Sequence, residues 1–211
     1  MTVTKRTKYV VPFLLIFSFT YSSIQHLMGH SECCLLTPVD NWIPFIPEFI
    51  WIYHTLIPVI LFTTIILVKT RREFFVAYNA CVMATIVLFL FFIFMPSDYP
   101  RYEIETHYPD LSVWLVKLTR LMDKANNTFP STHVTFSCLM FLTASHTKCL
   151  ENYNSLKLLY FVWASLIFAS TLFLKQHYVL DVASGVVLAF ACYYLSQRTT
   201  NIISQNENTR R

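Results

Sequence analysis

The chain has 211 residues, 55% of them hydrophobic and only 13% charged, and its mean hydropathy is positive. A soluble domain carries about 25% charged residues, so this composition excludes a soluble globular enzyme and predicts an all-α integral membrane protein. The net charge of +4 follows membrane topology rather than nucleic-acid binding, as the loops below make plain.

A membrane span needs about 20 predominantly apolar residues. Six segments qualify: Tyr9–Leu27, Ile46–Val68, Phe74–Met95, His133–Ser145, Leu158–Leu174 and Val179–Leu195. The fourth is short, with room to extend past Thr147. The first follows Lys5, Arg6 and Lys8 as a signal peptide would, but Gln25-His26-Leu27-Met28 is a poor cleavage site, so an uncleaved anchor is expected. With two glycines in the chain, Ser, Ala, Thr and Cys are expected at close helix crossings. The whole of 1–211 reads as one domain without repeats, and 205–211 as a frayed tail.

Orientation follows Lys and Arg in short loops. They occur at the amino terminus (Lys5, Arg6, Lys8), in the second loop (Lys69, Arg71, Arg72) and in the tail (Arg198, Arg210, Arg211), whereas the first loop has Glu32 and Asp40 and no Lys or Arg. Both termini are therefore expected in the cytoplasm of a cell (inner) membrane, with the odd loops facing the periplasm or outside. The third loop, about 96–130, contains a predicted helix capped by Asp110 and running to about Lys124. Leu111, Trp114, Leu115, Leu118, Leu121 and Met122 share one side of it, which suits a helix lying at the interface or packed on the loop face of the bundle.

Two strings at the expected outer face carry chemistry: Phe129-Pro130-Ser131-Thr132-His133 and Lys175-Gln176-His177-Tyr178-Val179-Leu180-Asp181. His177 and Asp181 are four apart and share a helical face. A carboxylate there fixes the histidine's tautomer and leaves the other ring nitrogen to attack. Pro130 favours a helix start, with Ser131 and Thr132 in its cap or first turn, where free N–H groups suit phosphate. His133 there is a natural proton donor near neutral pH. Lys175 and Arg101 supply positive charge for equatorial phosphoryl oxygens. Each feature alone also has a structural reading: a cap, an interfacial histidine, a snorkelling lysine, a surface arginine. The remaining histidines have structural readings, with His54 in an internal hydrogen bond, His26 and His30 at the outer interface, His146 at the inner one and His107 in the third loop. Asp40 and Asp123 are expected to shape the outer loops. Adjacent Cys33 and Cys34 make a poor disulfide pair, and no Cys or His spacing resembles a zinc site.

These strings resemble the second and third motifs of the type-2 phosphatidic acid phosphatase superfamily, Pro-Ser-Gly-His and Ser-Arg, five residues, His, three residues, Asp. Here they read Pro130-Ser131-Thr132-His133 and Ser170-Thr171, five residues, then His177 and Asp181. The family's arginine is Thr171 here, and Lys175 stands in for its charge. The first motif is degenerate, since Phe94 stands where the family places a lysine before Arg101. The strings are closer to a branch of bacterial lipid phosphatases that is similar to the inositol phosphorylceramide and sphingomyelin synthases. The resemblance implies a phosphohistidine on His177, orientation by Asp181, proton transfer by His133, and phosphate binding by Ser131, Thr132, Lys175 and Arg101. It implies no metal or cofactor. The expected activity is a six-span lipid phosphatase acting on a lipid phosphate monoester or pyrophosphate. A lipid phosphotransferase, or a non-catalytic transporter or scaffold, is the alternative.

Overall fold

Thr2 starts the first helix: its hydroxyl accepts from the Lys5 amide, and α1 runs Val3–Leu27. The computed structural model describes residues 1–28, 35–101, 104, 110–124 and 126–209, with side chains to 203. His30, Cys33, Cys34 and His107 lie outside the described residues. Helix α1 begins ahead of the expected Tyr9 because Lys5, Arg6 and Lys8 are good helix formers behind a capping threonine. Only 17% of its apolar window is buried, so α1 is peripheral.

The second apolar segment is a broken helix, α2, over Pro47–Leu67. Its α-helical pieces are Ile50–Tyr53 and Leu56–Leu61, followed by a π-type turn over Phe62–Leu67. Pro58 has no N–H for the carbonyl of His54, so the helix parts at His54-Thr55. The Thr55 hydroxyl donates to the Ile52 carbonyl and accepts from the Trp163 indole at 2.9 Å, which pins the break. Helix α3 spans Arg71–Phe94 and starts at a reciprocal box: Thr70 accepts from the Glu73 amide, and Glu73 accepts from the Thr70 amide.

Helix α4, Leu111–Met122, is capped by Asp110, which accepts from the Ser112 amide at 2.7 Å. It ends two residues short of the expected Lys124. Ser112, Val113 and Val116 are buried, Val116 against Ile50 and Tyr53 of α2. Leu111, Trp114, Leu118, Leu121 and Met122 are exposed, while Leu115 of the same stripe packs with Val116 on the bundle.

Helix α5, Thr132–His146, has 15 residues and is about 22 Å long. It does not pass Thr147, whose hydroxyl instead accepts from the Cys149 amide to start a 3-10 turn. Eleven of its residues are buried, so it is the central helix. Helices α6, Asn154–Phe173, and α7, Val179–Thr209, complete the bundle. Helix α7 passes Gln205 as helix where a frayed tail was expected, since neither Gly nor Pro stops it. Among the described residues five helices are long and apolar enough to cross a membrane: α1, α2, α3, α6 and α7; α5 is too short for that measure. Among the described residues there is no strand.

Small residues line the core between α3, α5 and α7. Ala80, Cys81 and Ala84 share a cluster with Cys138, Leu139, Ala189 and Cys192. Gly185 of α7 meets the start of α5 closely: a Cβ there would lie 3.0 Å from the Ser131 carbonyl oxygen and 3.1 Å from the Val134 Cβ.

Candidate active site

Two helix starts and one helix end build the site. Ser131, wholly buried, caps α5, accepting from the Val134 amide at 3.4 Å, while its own amide donates to the Asp181 carbonyl at 3.1 Å. The α5 start is thereby fixed to the first turn of α7. Thr132 and His133 follow as the first residues of α5, whose leading N–H groups have no partner within the helix.

Helix α6 ends in a Schellman motif. The Gln176 amide donates to the Thr171 carbonyl at 3.0 Å and the Lys175 amide to the Leu172 carbonyl at 3.0 Å. Lys175 occupies the left-handed position with φ 53, a place glycine usually takes. Its ammonium donates to the Asp40 carbonyl at 2.9 Å, and the Asp40 carboxylate accepts from the Val179 amide at 2.8 Å. Thus Asp40, itself held by Thr37, secures both sides of the His177 turn. Burial lowers the Lys175 pKa, and the charge of Asp40 opposes that shift.

His177 sits ahead of α7 rather than within it, yet its Nδ1 is 3.3 Å from an Asp181 carboxylate oxygen. The same carboxylate oxygen accepts from the Tyr178 amide at 2.9 Å. A stronger contact comes from the Thr128 carbonyl, 2.9 Å from Nδ1. Thr128 is fixed in turn: its amide donates to the Ser97 carbonyl, and the two hydroxyls lie 2.7 Å apart. With carbonyl and carboxylate both at Nδ1, that nitrogen carries the proton. Nε2 is left as the lone-pair nitrogen, without a hydrogen bond among the described residues. His177 and Asp181 are both buried.

The His133 ring is 6.5 Å from the His177 ring, centre to centre. It stacks on Tyr53 at 3.9 Å and 21°, and its Nδ1 is buried without a partner. Thr132, His133 and Tyr53 also line an apolar cavity of about 130 Å³ with Phe17, Ile60 and Phe136.

Arg101 reaches the site through Gln176. Nη2 donates to the Gln176 side-chain oxygen at 2.7 Å and to the Lys124 carbonyl at 3.1 Å, and Nη1 to the carbonyls of Arg120 and Asp123. Four of its five donors therefore tie the end of α4 to the His177 turn, and the buried Nε is unpartnered. Burial lowers the Arg101 pKa, opposed by Asp123. The Arg120 pKa falls to about 10, from burial first and the nearby Arg101 charge second. Asp123 accepts from Tyr21 at 2.9 Å and from Gln25, so it shapes the loop as expected. His54 has its internal bond, to Thr119 at 3.0 Å.

The structure thus brings His177, Asp181, His133, Ser131 and Thr132 together, and places Lys175 and Arg101 as ties flanking the turn. Tyr53 and the Thr128 carbonyl are additions. A tyrosine in an apolar span reads as lipid-facing bulk, and a backbone carbonyl has no residue signature. Among the described residues no three or more His, Cys, Asp or Glu side chains are grouped to hold a metal ion.

The chain belongs to the PAP2 superfamily, whose model matches residues 35–195. Its fold is similar to that in the crystal structure of Aquifex aeolicus LpxE, with a TM-score of 0.51 at 17% identity over 85% of this chain and 93% of that one. At that identity the likeness speaks for the fold alone. Comparison with curated proteins gives no match.

Proposed function

We propose that the protein is an integral membrane lipid phosphatase that hydrolyses a lipid phosphate monoester or pyrophosphate through a phosphohistidine, without a metal. The observation that carries this reading is the proton-fixed Nδ1 of His177, held at 2.9 Å by the Thr128 carbonyl and 3.3 Å from Asp181, which turns Nε2 into a nucleophile. Membership of the PAP2 superfamily supports the reaction class.

In the first step Nε2 of His177 attacks phosphorus, the bond to the lipid oxygen breaks, and His133 gives that oxygen a proton. In the second, His133 takes a proton from water, the water oxygen attacks phosphorus, and inorganic phosphate leaves His177. Asp181 offsets the positive charge that His177 gains on attack. The free amides at the start of α5, the Thr132 hydroxyl and the Lys175 ammonium bind the phosphate oxygens, and Arg101 acts by holding the His177 turn through Gln176. Buried Ser131 contributes by capping the helix that presents those amides. The six-span arrangement counts central α5 as the fourth span, α4 lies at the interface with its exposed stripe in lipid, and the site faces the periplasm or outside.

The test is phosphate release by purified protein in detergent with EDTA, across a panel of lipid phosphates. Release that persists in EDTA and disappears in His177→Ala supports the mechanism; release by His177→Ala sinks it. Transfer to a lipid alcohol in place of water would show as labelled acceptor lipid and would replace hydrolysis with the transferase reading.

A further inference from the structure

The end of the bundle far from His177 carries a second charged feature. Lys5 and Gln25 are 20 residues apart on α1, about 30 Å, and Gln25 reaches Asp123 beside the catalytic turn. At the Lys5 end an open cavity of about 550 Å³ is lined by Lys5, Lys8, Tyr9, Arg71 and Phe75 together with Met1. Three cations and two aromatic rings line it, and no carboxylate does.

Arg6 adds an independent observation. It is only 3% exposed, yet its Nε and Nη1 are unpartnered among the described residues. It shares a helical face with Val10, which packs with Val68 and Phe74. Met1 and Phe75 pack on that same cluster and also line the cavity, so the buried Arg6 charge stands beside the cavity without being part of its lining. A buried guanidinium with open donors is costly unless an anion completes it. Glu73, the nearest acid in sequence to Arg71, is committed to Thr70, Thr147 and Lys148.

The geometry points to a phosphate-group binding site between the starts of α1 and α3, distinct from the catalytic site and taking the headgroup of an anionic phospholipid. The aromatic rings suit the headgroup level.

The test is native mass spectrometry of the full chain in detergent, titrated with phosphatidylglycerol or phosphatidylcholine. A saturable adduct with phosphatidylglycerol and none with phosphatidylcholine is expected. Each charge removed weakens it about fivefold, so Lys5→Gln/Lys8→Gln/Arg71→Gln loses about 100-fold. The charge-conserving Lys5→Arg/Lys8→Arg/Arg71→Lys stays near wild type. Lys8→Gln alone, at about fivefold, covers the case in which the triple variant fails to fold. Lys148→Gln/Lys157→Gln removes charge elsewhere and leaves the adduct unchanged. Equal weakening by that control pair, or equal binding of phosphatidylcholine, overturns the site. Millimolar inorganic phosphate is the last arm. No competition upholds the lipid source, and full competition assigns the site to free phosphate and overturns the lipid assignment.

Discussion

Gly185→Ala tests whether the spacing of α5 and α7 sets the chemistry. The added Cβ would lie 3.0 Å from the Ser131 carbonyl oxygen, 3.1 Å from the Val134 Cβ and 3.2 Å from the Thr135 hydroxyl. Comfortable carbon contacts begin at about 3.5 Å, so the helices must part by a few tenths of an ångström. The contacts are backbone and β-branched atoms, which cannot swing aside. The displacement falls between Ser131–His133 on one helix and His177–Asp181 at the other, and it loosens the Ser131 amide to Asp181 carbonyl bond of 3.1 Å. A 1 Å misplacement of reacting groups costs about 100-fold, so half of that predicts roughly a tenfold loss in kcat. Stability moves less. Overpacking costs about 1–3 kcal/mol, while alanine regains about 1 kcal/mol over glycine inside a helix. The assay is kcat for phosphate release beside a thermal melt in the same detergent. Wild-type kcat in a folded Gly185→Ala protein would refute the argument that this approach positions the histidines.

Asp181→Asn should lower kcat by about 10–100-fold with little change in KM, the ~1.5–3 kcal/mol of a hydrogen bond to a charged group, because the Thr128 carbonyl still holds the Nδ1 proton while the charge that offsets the imidazolium is lost; steady-state kinetics check it. Tyr53→Leu removes the stack on His133, worth about 1 kcal/mol, and should cut kcat several-fold with a small fall in melting temperature. Lys175→Gly relieves the left-handed strain of about 1 kcal/mol but loses the ammonium, so the melt should hold while KM for the lipid phosphate rises. The exposed stripe of α4 predicts that Trp114 sits at headgroup depth: brominated lipids should quench wild-type fluorescence more than that of Trp114→Phe.

The helices were legible because apolar runs of span length and capping residues are local signals. Asp110 and Ser131 each mark a start by side-chain chemistry within three residues, whereas the Thr70–Glu73 box, ahead of the expected Phe74, was not read. The break at His54-Thr55 was not read, although Pro58 announces it, because hydropathy is blind to a missing N–H. The site was legible where it depends on side chains four residues apart, as with His177 and Asp181. It was illegible where distant backbone completes it: the Thr128 carbonyl at His177, the Asp40 carbonyl at Lys175, the carbonyls gathered by Arg101. Such partners are set by loop paths, and any residue type supplies them.

The 49-residue separation between Thr128 and His177 has a consequence for synthesis. When α5 is complete, the growing chain already holds Tyr53, His133 and the Ser97–Thr128 cradle, but no nucleophile. His177, the nucleophile of the proposed mechanism, is translated only after α6, and its arrival closes the ring of contacts. On the proposed mechanism a ribosome-bound chain stays chemically silent until α6 has been made, and a product truncated before His177 does not act on the lipids around it.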